Sequence, residues 1–180
     1  MALFGAALAG VPFVPLDYRL AAEQLGTLIA RHPGAEVLRQ EDLDSLLDVP
    51  EQGVEPSPLR APDSRDEIAV ILYTSGTTAA PKAALLRHRH LLAHVFATQE
   101  FGMADPDEVT LVALPPYHVA GLMNLLSNLY TGRRIAYDAS FDPERWMATV
   151  REEGITDAMV VPTMLAQITE VFDDRRAEAP

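Results

Sequence analysis

The chain has 180 residues, 48% of them hydrophobic, which is enough apolar material for one buried core. Its 26 acidic and 14 basic residues give a formal net charge of −12, which argues against nucleic acid or an anionic membrane as a partner, because both attract positive surfaces. Cysteine is absent, so disulfides and thiolate zinc sites are excluded, and a cytoplasmic location is expected.

The first part of the chain is predicted to contain short helices and strands followed by a proline-rich segment. The apolar start, 1–16, lacks a basic leader and is interrupted by glycine and proline, so no integral membrane segment is predicted. The predicted elements are a helix at 2–9, a strand at 11–14, an amphipathic helix at 21–31 and a brief strand at 36–38. Residues 49–64 carry several prolines and scattered acids, which predicts a surface loop or linker.

From residue 67 onward the pattern becomes regular, and strands alternate with helices. The predicted strands are 67–73, 109–113, 133–137 and 157–161, and the predicted helices are 87–101, 119–130, 143–153 and 163–172. Asp142 is expected to cap the third of these helices. This alternation predicts an α/β fold with a mainly parallel sheet flanked by helices, in which ligands gather at the carboxyl ends of the strands.

The loop that follows strand 67–73 concentrates groups able to bind phosphate. Lys82 is the one lysine of the chain, and the other 13 basic residues are arginine. The candidate phosphate-binding residues are Thr74, Ser75, Gly76, Thr77, Thr78 and Lys82. Backbone N–H groups and hydroxyls can surround phosphate oxygens while a lysine neutralises their charge, so the loop predicts a polyphosphate site. Its spacing is not that of a Walker loop, and a hydroxyl-rich turn with a surface lysine is the alternative interpretation.

The whole stretch 73–83 resembles a known signature. Its sequence, Tyr-Thr-Ser-Gly-Thr-Thr-Ala-Ala-Pro-Lys-Ala, is similar to the Tyr-Thr-Ser-Gly-Thr-Thr-Gly-x-Pro-Lys-Gly motif of the adenylate-forming superfamily, which includes acyl-CoA synthetases, peptide-synthetase adenylation domains and firefly luciferase. Ala79 and Ala83 stand where that pattern has glycine. If those positions need a left-handed backbone or a close approach to phosphate, each alanine weakens nucleotide binding.

The resemblance extends to other segments. Residues 5–10 and 14–17 are similar to the small-residue helix and the Val-Pro-Leu-Asn/Asp step of the family, and 161–165 to a later strand-to-helix step. Residues 114–122 resemble its Pro-Leu-Phe-His-Val-x-Gly motif, which in acyl-CoA synthetases lies beside the acyl group. By resemblance His118 faces the substrate carboxylate, and Val119, Ala120 and Gly121 border the acyl pocket. Without the resemblance, a buried and hydrogen-bonded imidazole is an equal interpretation of His118.

The resemblance implies that 1–180 is part of the AMP-binding N-terminal domain of an AMP-forming acyl-CoA synthetase. Such an enzyme joins a fatty or aryl acid to ATP, giving acyl-AMP, and then transfers the acyl group to CoA; Mg²⁺ accompanies the nucleotide. The later family motifs, including the adenylation lysine, have no counterpart here. No catalytic residue is therefore assigned, and the isolated chain is expected to be inactive without a C-terminal portion or a partner chain. The alternative is a stand-alone, non-catalytic nucleotide-binding or partner module.

A histidine cluster offers a competing metal hypothesis. His88, His90 and His94 are predicted to lie near the start of one helix, and the last two have the spacing that could hold zinc. No acidic or sulfur ligand lies nearby in the sequence, so a solvated helix face is the preferred interpretation and no metal site is predicted.

Overall fold

The computed structural model describes residues 2–39, 41–42, 65–74, 81–138 and 140–177. The chain divides into two compact units, Met1–His88 and Arg89–Pro180. The predicted proline-rich segment 49–64 lies outside the described residues, as do positions 75–80 of the predicted phosphate loop.

The first unit contains two helices and a two-stranded antiparallel sheet. Its elements are α1 (Ala2–Ala9), α2 (Ala22–Ile29), β1 (Ile68–Thr74) and β2 (Lys82–Arg87). In the β1–β2 ladder Thr74 is the Cα partner of Lys82, and Tyr73 is the partner of Ala83. The interior of β1 is apolar, and its residue Val70 is fully buried. The strand predicted at 67–73 is therefore confirmed, with the bounds Ile68–Thr74.

Three predictions for the first unit need correction. The strand expected at 11–14 is reduced to a single parallel bridge between Phe13 and Val70. Residues 36–38 form no strand, and the helix predicted at 21–31 is confined to Ala22–Ile29. The strand β2 was not predicted, because its alanines and leucines favour helix locally and only pairing with the β1 backbone makes them extended.

The second unit is a parallel sheet with helices. Its elements after α3 (His88–Thr98) are β3 (Val109–Val112), α4 (Val119–Thr131), β4 (Arg134–Tyr137), α5 (Pro143–Glu152), β5 (Asp157–Ala158) and α6 (Pro162–Ala177). The strand order is β4-β3-β5, and both pairings are parallel. All four residues of β3 are buried because it is the central strand. The α/β prediction is confirmed, although β5 is shorter than the predicted strand 157–161.

Local signals in the sequence set the ends of two helices in this unit. The Asp142 carboxylate accepts a 2.8 Å hydrogen bond from the backbone N of Arg145, and Pro143 opens α5, so the predicted cap is confirmed. Helix α4 ends at Thr131 and is followed by Gly132, whose φ of 80° is the left-handed conformation that glycine adopts without steric cost. No described helix is both long enough and apolar enough to cross a membrane.

Candidate functional site

The base of the predicted phosphate loop is the open end of the β1–β2 hairpin. Thr74 ends β1 and Lys82 begins β2, and the ladder holds the two residues opposite each other. The Thr74 hydroxyl donates a 3.4 Å hydrogen bond to the backbone oxygen of Lys82. The Lys82 side chain is exposed, so its ammonium is accessible to an anion. Four other predicted phosphate-binding residues lie outside the described residues, namely Ser75, Gly76, Thr77 and Thr78.

Two residues that follow α2 support this end of the hairpin. The Arg31 Nη1 atom donates a 2.9 Å hydrogen bond to the backbone oxygen of Pro81, and its guanidinium carbon lies 5.7 Å from the centre of the Tyr73 ring. The His32 Nε2 atom and the Tyr73 hydroxyl share a hydrogen bond of 2.8 Å. Sequence reasoning missed both residues, because nothing in the linear pattern joins them to a loop about fifty positions later. The structure thus adds a second cation beside the hairpin base.

The backbone at Ala83 tests whether this position needs the left-handed conformation that glycine readily adopts. Ala83 is an exposed residue of β2 that pairs with Tyr73. Among the described residues only glycines have positive φ. The hypothesis that Ala83 replaces a glycine in a left-handed conformation is therefore wrong, because a paired strand residue is extended. Ala79 lies outside the described residues.

In the second unit the predicted acyl-binding segment forms the start of α4. His118 occupies the N-cap position in an extended conformation, with φ −108° and ψ 145°, and its side chain makes no capping hydrogen bond. The imidazole is exposed and packs edge-on against the Tyr117 ring, with the ring centres 4.9 Å apart. The interpretation of His118 as a buried, satisfied imidazole is therefore wrong.

Gly121 has a steric role in the first turn of α4. A Cβ atom at this position would lie 2.2 Å from the backbone oxygen of Pro115 and 2.8 Å from that of Leu114. No side chain fits at such distances unless the backbone moves. The glycine therefore lets α4 start directly against the segment that precedes it.

A cavity of ≈ 620 Å³ lies in the second unit beside α4. Two predicted acyl-binding residues, Val119 and Ala120, line it, whereas His118 and Gly121 are not among the lining residues. Apolar residues form part of the wall and polar residues the rest. The lining residues are His94, Thr98, Gln99, Val119, Ala120, Met123, Asn124, Ser127, Asn128, Arg133, Asp157, Ala158 and Met159.

A chain of polar side chains runs along the cavity wall. Arg133 donates through Nε and Nη2 to Glu108 Oε2, at 2.9 and 2.8 Å, and through Nη1 to Asn128 Oδ1 at 2.7 Å. Asn128 Nδ2 donates in turn to Asn124 Oδ1 at 2.6 Å. Both asparagines are 4% exposed. Sequence reasoning missed this group, although two asparagines four residues apart in a largely apolar helix are a detectable signal.

The histidines of α3 do not form a metal site within the described part of the chain. No group of three potential metal-binding side chains occurs there. His90 accepts a 3.3 Å hydrogen bond from Arg89 Nε, and His94 is an exposed residue at the cavity edge.

A family model described as AMP-binding enzyme matches residues 1–179. The chain belongs to this AMP-binding enzyme family. The predicted membership, based on the motifs at 73–83 and 114–122, is thereby confirmed.

Curated relatives of this family member include CoA ligases and synthases. Feruloyl-CoA synthase from Amycolatopsis sp is 33% identical over 180 residues, covering 92% of this chain and 36% of the relative. 2-Succinylbenzoate–CoA ligase from Bacillus licheniformis is 30% identical over 148 residues, covering 81% of this chain and 30% of the relative. The chain thus spans about a third of the length of these relatives.

Solved structures of similar fold agree with this membership. O-succinylbenzoate coenzyme A synthetase from Bacillus subtilis, in complex with AMP, superposes with a TM-score of 0.73 at 22% identity, covering 99% of this chain and 48% of that one. A malonyl-CoA ligase with methylmalonyl-CoA and AMP bound gives 0.70 at 28% identity, covering 96% and 39%. Both superpositions support the α/β fold predicted for the N-terminal domain of these enzymes.

Proposed function

We propose that this chain is the nucleotide- and acid-binding part of an AMP-forming acyl- or aryl-CoA ligase. In that reaction a carboxylate oxygen attacks the α-phosphorus of ATP, pyrophosphate leaves, and the thiol of CoA then displaces AMP from the acyl-AMP. The observation that carries the proposal is the β1–β2 hairpin, which pairs Thr74 with Lys82 at the ends of a loop with the adenylate-forming signature. The relatives named for feruloyl and 2-succinylbenzoate substrates favour an aryl acid over a simple fatty acid.

The hairpin is assigned to the β- and γ-phosphates of ATP. The proposed ligands are Thr74, Ser75, Gly76, Thr77, Thr78 and Lys82. A chain with a net charge of −12 repels polyphosphate at long range, so binding requires local cations and donors. The exposed Lys82 ammonium supplies such a charge, and Arg31 holds the backbone beside it through Pro81. Mg²⁺ would arrive on the phosphates, which supply oxygen ligands that suit it.

The start of α4 is assigned to the carboxylic acid. The first N–H groups of any helix lack intrahelical partners and favour an anion, and here Val119, Ala120 and Gly121 form that first turn. His118 stands exposed beside it and can donate to a carboxylate oxygen. The cavity lined by Val119, Ala120 and Met123 is assigned to the remainder of the acid, since its apolar wall suits a hydrocarbon or aryl body.

Calorimetric titration with Mg²⁺-ATP tests the nucleotide assignment. Lys82→Ala should lower the affinity of the chain by about tenfold to a hundredfold, because a hydrogen bond between charged groups is lost. Lys82→Arg should keep part of the affinity. Arg19→Ala removes the same charge from an exposed side chain of the first unit that is paired with Asp17, and it should leave binding unchanged. Equal affinities for the parent chain and Lys82→Ala would refute the assignment.

A pyrophosphate-exchange assay tests whether the 180-residue chain can form acyl-AMP by itself. The later family motifs and a second lysine are absent from this sequence, so the 180-residue chain should show no acid-dependent pyrophosphate exchange above a control without enzyme. Exchange with any fatty or aryl acid would show that these residues suffice for acyl-AMP formation. Nucleotide binding without any binding of carboxylic acids would instead favour the stand-alone, non-catalytic module.

A further inference from the structure

The turn that follows α2 contacts the hairpin on both sides of the predicted phosphate loop. Where the chain returns from the loop, Arg31 Nη1 donates a 2.9 Å hydrogen bond to the backbone oxygen of Pro81. Where the chain enters the loop, the Tyr73 hydroxyl lies 2.8 Å from His32 Nε2, and the centre of the Tyr73 ring lies 5.7 Å from the guanidinium carbon of Arg31. Two consecutive residues therefore link both ends of the loop to the end of a helix.

The turn itself has a fixed position. The backbone N of Arg31 donates to Leu28 O at 3.1 Å and that of His32 donates to Ile29 O at 2.9 Å, so the hydrogen-bonded turns of α2 continue through both residues. Leu28 is 3% exposed, which shows that α2 is packed within its unit. Arg31 forms no ion pair with a carboxylate in the described part of the chain. Its contacts with the hairpin are therefore the ones that a substitution removes.

Strand geometry separates this turn from the side chains of Thr74 and Lys82. Direct partners in an antiparallel ladder point to the same face of the sheet, and successive residues point to opposite faces. Tyr73 and its partner Ala83 therefore share the face that the turn contacts, whereas Thr74 and Lys82 share the other face. Arg31 is thus placed to act on the backbone of the hairpin and not on the anion that Lys82 attracts.

The last ladder pair before the loop is Thr74 with Lys82. In β1, Ala69 O and Ile71 N bond to the backbone of Phe13, on the edge of the strand opposite to β2. Because the N–H and C=O groups of successive strand residues point to alternate edges, Thr74 directs both of its groups toward Lys82. The hydrogen bonds of this pair close the base of the loop.

We propose that Arg31 is a positioning residue for the phosphate loop: it holds the Pro81 backbone, so that the adjacent Lys82 keeps its place against Thr74. His32 assists by holding Tyr73. The proposal rests on the proposed function and identifies a residue outside the signature on which the nucleotide affinity depends. A site that already has its binding geometry loses less conformational entropy when the ligand binds. Loss of Arg31 should therefore weaken binding although no phosphate contact is removed.

Hydrogen exchange of the unliganded 180-residue chain, followed by NMR, tests the positioning role directly. Arg31→Met keeps the aliphatic stem and removes the donor and the charge. It should accelerate exchange of the Thr74 and Lys82 amides by about threefold to tenfold, because the last ladder pair opens more often. The Val70–Leu86 pair lies further from the loop in the same ladder, and its exchange should be unchanged. A general loss of stability would accelerate both pairs.

Calorimetric titration with Mg²⁺-ATP tests the consequence for binding. Arg31→Met should lower the affinity by about threefold to tenfold, which is less than the effect of Lys82→Ala, and Arg31→Lys should recover most of the loss because it retains a donor and a charge. Arg19→Met makes the same change at an exposed arginine that is paired with Asp17, and it should alter neither affinity nor exchange.

The hydrogen bond between His32 and Tyr73 provides an independent test. Tyr73→Phe and His32→Phe each remove this bond and keep a ring, so each should lower Mg²⁺-ATP affinity by about threefold. The double variant should bind no more weakly than either single variant, because both changes remove the same bond. Additive losses would mean that the hydroxyl and the imidazole act separately, and they would refute the assisting role of His32.

The outcomes distinguish this proposal from the one on which it rests. Faster exchange in Arg31→Met with unchanged Mg²⁺-ATP affinity would refute the link between the turn and nucleotide binding. Weaker binding with unchanged exchange would make Arg31 a direct phosphate contact and refute the positioning role. Absence of Mg²⁺-ATP binding by the parent chain would refute the nucleotide assignment and with it this proposal, whatever the exchange rates. Circular dichroism establishes that each variant is folded, and Arg31→Gln replaces Arg31→Met in both measurements if the latter is not.

Discussion

The hairpin of the first unit and the α4 region of the second unit hold their polar groups in different ways. At the hairpin, strand pairing positions the backbone of Lys82, whereas its side chain is exposed to solvent. In the α4 region Asn124 and Asn128 are buried and each is fixed by another side chain. A mobile ammonium suits phosphates, which it attracts as a point charge, whereas buried carboxamides require hydrogen-bond partners within the fold.

The two arginines that support these regions also differ in burial. Arg31 is exposed and donates to a backbone oxygen at the hairpin, where water competes with its contacts. Arg133 is mostly buried between Glu108 and Asn128, so its loss would leave the oxygen of the buried Asn128 without its donor. Substitutions in the α4 region should therefore affect stability more strongly than substitutions at the hairpin.

The strongest effect should come from two glycines changed in the same way. Gly121→Ala should lower the free energy of unfolding of the second unit by about 3 kcal/mol, because the new Cβ meets backbone oxygens at 2.2 and 2.8 Å. Gly26→Ala lies inside α2 with no atom within 4 Å, so it should stabilise the first unit by up to about 1 kcal/mol. Urea unfolding followed by Trp146 fluorescence and by circular dichroism measures the two effects. A loss below about 1 kcal/mol for Gly121→Ala would contradict the steric argument.

An intermediate effect is expected from two adjacent arginines. Arg133→Met should cost about 2 kcal/mol, since Glu108 and the buried Asn128 lose their donor. Arg134→Met removes an exposed pair with Glu153, whose side chains are 54% and 48% exposed, and should cost less than about 1 kcal/mol. The same unfolding experiment compares them. Equal losses would mean that the hydrogen bonds linking Arg133, Asn128 and Asn124 contribute no more to stability than a surface ion pair.

The smallest effect concerns the alanines of the hairpin. Ala83→Gly should cost at most about 1 kcal/mol in stability and should not improve Mg²⁺-ATP affinity, because Ala83 is already an unstrained strand residue. The family pattern still predicts up to about a tenfold gain for Ala79→Gly. Calorimetric titration of both single variants and the double variant measures this. Tighter binding by Ala83→Gly alone would indicate that its side chain hinders the phosphates.

Much of the second unit was predictable because its signals are local. Alternating apolar segments gave the strands and helices, and the Asp142 cap with Pro143 gave the start of α5. The strand β2 was not predictable, since its sequence favours helix and its hydrogen bonds come from β1. The sequence also did not predict that segment 11–14 would form a single bridge at Phe13. Its hydrophobic residues do not indicate how many of them pair with another strand.

By itself the sequence determined the family, the α/β class and the two motifs around Lys82 and His118, because each depends on residue types at fixed short spacings. Tertiary structure alone decided that Arg31 and His32 reach the hairpin, and that Glu108, Arg133 and the asparagines of α4 form one hydrogen-bonded chain. The physical reason is that hydrogen bonds and steric contacts between distant segments depend on distances in space. The orientation of the Asn124 carboxamide, for example, depends on the hydrogen bond that it accepts from Asn128, and no local sequence pattern indicates it.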